Sequence, residues 1–169
     1  MNRWGPDTFG DPCHECGFDW ATSQDAAAAA IVACPDVLAA LIADRDGRSR
    51  ADGLEWSAAG YVCHVGDSLR VWAERLASVS LGDPGPIAEY DQEMLADARH
   101  YTDVGVRGAL WSLRRAVADW QAAVALAGEH DITMLHPELG EMTLLDVTLI
   151  RAHDVMHHTL DIERSVAGV

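Results

Sequence analysis

A chain of 169 residues with 49 % hydrophobic and 23 % charged side chains is long enough for one self-sufficient core and too short for two full-sized domains. Its 27 acidic residues against 12 basic ones leave a formal charge of −15. That balance excludes non-specific nucleic-acid binding and disfavours an anionic membrane surface, because both require a basic face. Every basic residue is Arg, and the absence of Lys excludes Schiff-base and lysine-nucleophile chemistry. The N-terminal MNRWGPDTFGDPCHEC contains no apolar core of the kind a secretory signal carries. The longest unbroken apolar run, residues 26–34, has nine residues against the ~20 that span a bilayer. A soluble, cytoplasmic protein is expected.

Residues 1–21, rich in Gly, Pro and Cys, read as an irregular segment preceding a bundle over residues 22–169. Thr22 or Ser23 caps the first long helix, with Asp25 in its first turn. Pro35 predicts a kink or a division there, and Asp44-Arg45-Asp46-Gly47 ends the segment. A second helix starts after Ser57 and reaches about residue 79, with Tyr61, Val65, Leu69, Trp72 and Leu76 as its inward stripe. Gly82-Asp83-Pro84-Gly85-Pro86 breaks it, and a short helix follows over residues 87–99. The third long helix is expected over residues 103–127, with Val106, Leu110, Leu113, Val117 and Trp120 inward and Gly128 at its end. After an irregular stretch around His136-Pro137 and Gly140, Thr143 caps a fourth helix. Along one side of it lie Val147, Ile150, His153, His157, Leu160 and Arg164. No segment alternates with period two, so the class is all-α, a four-helix bundle.

The passage RAHDVMHHTLDIER carries the clearest chemical signal. His153 and His157 are four residues apart and project from one helical face with Cβ atoms ~5–6 Å apart, the spacing that offers two imidazoles to one metal ion. Their neighbours on that face, Ile150 and Leu160, are apolar, which turns the pair into the bundle. His64, beside the inward stripe of the second helix, is the candidate third ligand. Three His with an open position is a catalytic rather than a structural zinc arrangement. Asp67 and Asp161 are placed to orient His64 and His157 from behind. The plain alternative is a set of core histidines satisfied by hydrogen bonds. His158 is expected on the surface with Asp154, and His100, His130 and His136 fall in loops without geometric signal. A zinc-protease reading of HDVMHH fails for want of a Glu base.

Trp56-Ser57, then Tyr61-Val62-Cys63-His64-Val65-Gly66-Asp67, then the helix bearing His153 and His157, resemble the DinB-like superfamily, which includes mycothiol-dependent maleylpyruvate isomerases and related thiol S-transferases. The resemblance spans about residues 22–164. It implies a four-helix bundle, often dimeric, holding a divalent metal through His64, His153 and His157. Zinc is the first choice, with nickel, iron or manganese as others, and mycothiol is the implied co-substrate.

The N-terminal CHECGFDW is a second signal. Cys13-x-x-Cys16-Gly17 matches one half of a zinc knuckle, in which a tight turn points two thiolates at one ion. His14, His100, His136 or a second subunit are candidates to complete it, and a redox dithiol is the alternative. Cys34 and Cys63 lie in predicted helices and read as small core residues. The leading expectation is therefore a metal-dependent thiol S-transferase or isomerase, in which the thiolate attacks a small electrophile. Arg70, Arg151 and Arg164 are available for a carboxylate. A non-catalytic metal-binding or sensing bundle that dimerises or contacts a partner is the alternative.

Overall fold

The computed structural model describes residues 5–83 and 86–167, so Pro84 and Gly85 of the expected break and the chain ends lie outside the described residues. Four long helices form the bundle: α2 (Gln24–Ile42), α3 (Ala58–Ser80), α5 (Val106–Gly128) and α6 (Leu144–Ala167). Two short helices, α1 (Pro6–Phe9) and α4 (Gln92–Ala98), and a hairpin of β1 (Thr133–His136) and β2 (Gly140–Thr143) are the other elements among the described residues. α3 packs most extensively on α5 and α2 on α6, and contacts of α3 with α6 and of α2 with α5 close the ring. This arrangement makes α3 and α6 neighbours, which is what lets His64 approach the histidines of α6.

Polar caps set the starts of three of the four long helices. Ser23 accepts from the Ala26 amide and Ser57 from the Gly60 amide. Thr143 accepts from the Asp146 amide at 3.2 Å while the Asp146 carboxylate accepts the Thr143 amide at 2.8 Å, a reciprocal cap in which Asp fills the usual Glu role. Pro35 neither kinks α2 into two elements nor ends it. Although it withdraws one N–H from the ladder, Ile31, Cys34, Pro35 and Leu38 are all buried, and that packing holds the helix through the gap. Gln24–Ile42 is long and apolar enough by composition to cross a membrane, a feature that the nine-residue run hid. In the fold, Ala27, Ile31, Leu38 and Ile42 of this helix are buried in the core of the bundle.

Two departures from the expected all-α layout matter for the site. The antiparallel hairpin pairs Met134 with Met142, both buried, and β2 runs directly into α6. Residues 5–21 are likewise structured: α1 leads into a turn in which the Cys13 amide bonds the Phe18 carbonyl at 2.8 Å and the Gly17 amide bonds the Cys13 carbonyl at 2.9 Å. Gly17 sits at φ +72, the left-handed conformation that this turn needs and that glycine adopts without strain. Cys13 and Phe18 join the core, so the segment is packed onto the bundle.

Candidate metal centres

The histidines of α6 fall into two interleaved sets. His153 and His157 cluster with Cys13 and Cys16, and His64 clusters with Asp154 and His158, the ligand atoms of each set lying within 4.8 Å of one another. The expected trio of His64, His153 and His157 is therefore not assembled. Residues 154 and 158 stand one position, about 100° of helical rotation, further round than 153 and 157. It is the 154/158 pair that α6 turns toward α3.

In the first set, His153 is 2 % exposed and enclosed by aromatic rings of the N-terminal segment. Phe9, Trp20 and Phe18 lie 4.6, 4.8 and 5.6 Å from it, centroid to centroid. Trp20 is itself fixed by donating its indole N–H to the Gly10 carbonyl at 2.9 Å. Burial, reinforced by the neighbouring His157, pushes His153 down to about 4, so the ring is neutral and retains a lone pair. Neither His153 Nε2 nor His157 Nδ1 has a hydrogen-bond partner, although both atoms are buried. Burial alone would raise the Cys13 thiol, but the amides of Cys16 and Glu15 and the Cys16 thiol outweigh it and bring Cys13 below its ordinary value. Cys16 is pushed up to about 11 by burial despite the Phe18 amide, so the pair shares one favoured thiolate.

The second set is built on a buried carboxylate. Asp154 Oδ2 accepts from the Ser68 hydroxyl at 2.9 Å and from Arg151 at 3.2 Å. Its Oδ1 faces His158 Nε2 at 3.4 Å and His64 Nε2 at 4.0 Å. Burial would raise the Asp154 carboxyl, yet Arg151 and the hydrogen bonds from His158 and His64 hold it well below the usual range. His158 Nδ1 lies 3.0 Å from Asp161 Oδ2. Burial opposes protonation of His158, but Asp154 and Asp161 on either side raise it to about 9. The position between His64, His158 and Asp154 Oδ1 thus attracts positive charge.

Several expected roles change with this geometry. Asp161 orients His158 rather than His157, and Asp154 is buried and His158 half-buried instead of forming a surface pair. Asp67 does not support His64: it accepts from the Tyr101 hydroxyl at 2.8 Å and pairs with Arg70 and Arg99. The residues gathered beside Cys13 and Cys16 are His153 and His157, and none of His14, His100 and His136 belongs to that cluster. Of Arg70, Arg151 and Arg164, only Arg151 lines the cavity beside His64 and Asp154. Arg70 is held by Asp67 and Ser112, and Arg164 faces Glu15 and Asp161.

That cavity, of about 240 Å³, is also lined by Trp72, Arg75, Tyr90 and His136. Arg75 lies over Trp72 at 4.8 Å and over Tyr90 at 5.2 Å, while its guanidinium donates to the Ala88 carbonyl. His136 stacks on Trp72 with ring centroids 5.9 Å apart and accepts the Glu138 and Leu139 amides on Nδ1, which leaves its proton on Nε2. Burial and the nearby Arg75 lower its pKa, keeping the ring neutral. Arg75 carries no motif that marks it in the sequence, and His136, expected there only as a loop residue or a partner of Cys13 and Cys16, owes its place in the cavity wall to a hairpin that the sequence does not announce.

A helical bundle with one donor set on α3 and α6 opening to a cavity defines a class, and the comparisons name it. The family model of the DinB superfamily matches residues 30–162, and the chain belongs to that superfamily. Among solved structures it is similar to YfiT from Bacillus subtilis, described as a probable metal-dependent hydrolase with an unusual four-helix bundle topology. The two are 16 % identical, the match covers 86 % of each chain, and the TM-score is 0.73, which shows a shared fold. No curated protein sequence matches the chain.

Proposed function

We propose that the protein is a metal-dependent catalyst that works at His64, Asp154 and His158 on a small anionic substrate, with a low-molecular-weight thiol, mycothiol by family resemblance, as nucleophile. The observation that carries this reading is a three-residue donor set, two nitrogens and one oxygen, beside a cavity with two guanidinium groups in its wall. Three protein ligands leave a coordination position free, the catalytic rather than the structural pattern. A dication bound there supplies one thing: it lowers the pKa of a thiol, ordinarily ~8.5, so that the nucleophile is populated at neutral pH.

The surrounding residues fit that task. Ser68 and Arg151 hold Asp154 Oδ2, which leaves Oδ1 turned toward both histidines. Asp161 fixes the His158 ring from behind, as outer partners of ligating histidines do. Arg75 and Arg151 supply cationic partners for a substrate carboxylate, and neutral His136 supplies a hydrogen-bond donor. Zinc suits such a mixed set, and so do nickel, iron and manganese. A cytoplasmic setting fits the four free thiols.

Hydrolysis is the second reading, favoured by the carboxylate in the donor set and by the description of YfiT. The deciding experiment incubates metal-loaded protein with a thiol and an electrophile, and separately with ester and amide substrates. Metal-dependent thiol consumption that disappears in His64→Ala is the expected result. Cleavage without thiol use selects hydrolysis. Metal binding with no turnover of either kind points to a sensing role and contradicts the proposal.

A further inference from the structure

We propose that Cys13, Cys16, His153 and His157 form a separate structural metal site of zinc type, which pins the N-terminal segment to α6. Four donors, two sulfurs and two nitrogens, already lie within 4.8 Å of one another. Zn–S bonds of ~2.3 Å and Zn–N bonds of ~2.0–2.1 Å place tetrahedral ligands about 3.3–3.8 Å apart, so an ion needs only a small closure of this set. With all four positions taken by the protein, no vacancy remains for substrate. The site is built to hold structure rather than to react.

An independent observation points to a ligand. His153, almost wholly buried, leaves Nε2 without a partner, and His157 does the same with Nδ1. A buried ring nitrogen without a hydrogen bond is costly, and coordination to a metal removes that cost. The aromatic shell of Phe9, Phe18 and Trp20 excludes water from His153, and Glu15 lies 3.8 Å from His157 Nε2 on the outer side.

The spacing agrees. Cys-x-x-Cys and His-x-x-x-His are the two halves of a Cys2His2 zinc pattern, here drawn from opposite ends of the chain. Both cysteines lie outside the residues matched by the DinB superfamily, so this site extends the bundle rather than belonging to its matched region. It does not depend on the catalytic reading above, since the two sets share no residue.

Cobalt substitution of the chelator-treated full-length chain tests the site directly. The expected result is a thiolate-to-cobalt charge-transfer band with the intense visible absorption of tetrahedral Co(II), saturating at one equivalent. It persists in His64→Ala and is lost in Cys16→Ser. Zinc then displaces the cobalt and shields Cys13 and Cys16 from a thiol reagent. Cobalt uptake by the wild type without a thiolate band overturns the proposal whatever the folding state of the variants, as does thiol reactivity unchanged by zinc. Failure of the catalytic reading shows separately, as a His64→Ala protein that binds as many metal ions as the wild type.

Discussion

The two donor clusters of this bundle share one helix and differ in nearly everything else. The set at His153 and His157 is closed by two cysteines and roofed by aromatic rings, whereas the set at Asp154 and His158 meets one histidine from α3 and opens to a cavity lined with arginines. On the reading proposed above, ligand number and surroundings, not histidine content, separate a site that holds the fold from one that meets substrate. A rotation of about 100° between successive residues is all that divides them along α6.

The comparison is broken most severely at Asp154, where the open site also serves stability. Asp154→Ala leaves the buried Arg151 without its counter-charge and His158 with Asp161 alone, and removing one partner of a buried pair costs about 3–5 kcal/mol. Chemical denaturation of the metal-free protein measures this, and a loss below about 1 kcal/mol contradicts the described network. Next in size is substrate binding. Arg75→Gln is expected to raise KM about tenfold, equivalent to ~1.4 kcal/mol, with kcat little changed, while Arg164→Gln leaves both as they are. Equal effects of the two substitutions remove the cavity from the account.

The smallest effect sharpens the difference between the cysteines. Burial pushes Cys34 up to about 12 and Cys63, with the charge of Asp67 adding to it, up to about 11. A group with a raised thiol pKa is protonated at neutral pH, and Cys16 shares that raise, so alkylation of the folded, metal-free chain at pH 8 labels Cys13 ahead of Cys16, Cys34 and Cys63. Mass spectrometry that finds Cys34 or Cys63 modified before denaturation counts against the packing of α2 and α3.

Much of this architecture is legible in the amino-acid sequence. Ser57 and Thr143 announced the starts of α3 and α6, and the stripe from Tyr61 to Leu76 marked the face of α3 that turns inward. The hairpin was not legible: each strand has four residues and one buried side chain, too short for an alternation to register. At the site, both i,i+4 pairs on α6 satisfy the metal-ligand spacing, and spacing alone cannot say which of them faces α3. Taking the all-histidine pair set Asp154 aside as a surface carboxylate. Arg151 three residues earlier and His158 four residues later were the signal that it is buried and paired. The half-knuckle lacked visible partners because they stand more than a hundred residues away, a separation that the fold alone closes.

Counting metal ions per chain in the wild type, His64→Ala, His153→Ala and the double variant tests the division of these histidines most directly. Two independent centres predict that each single substitution removes one ion of two and that the double variant retains none. A single shared centre, in which either substitution alone abolishes all binding and the double variant loses nothing more, contradicts it.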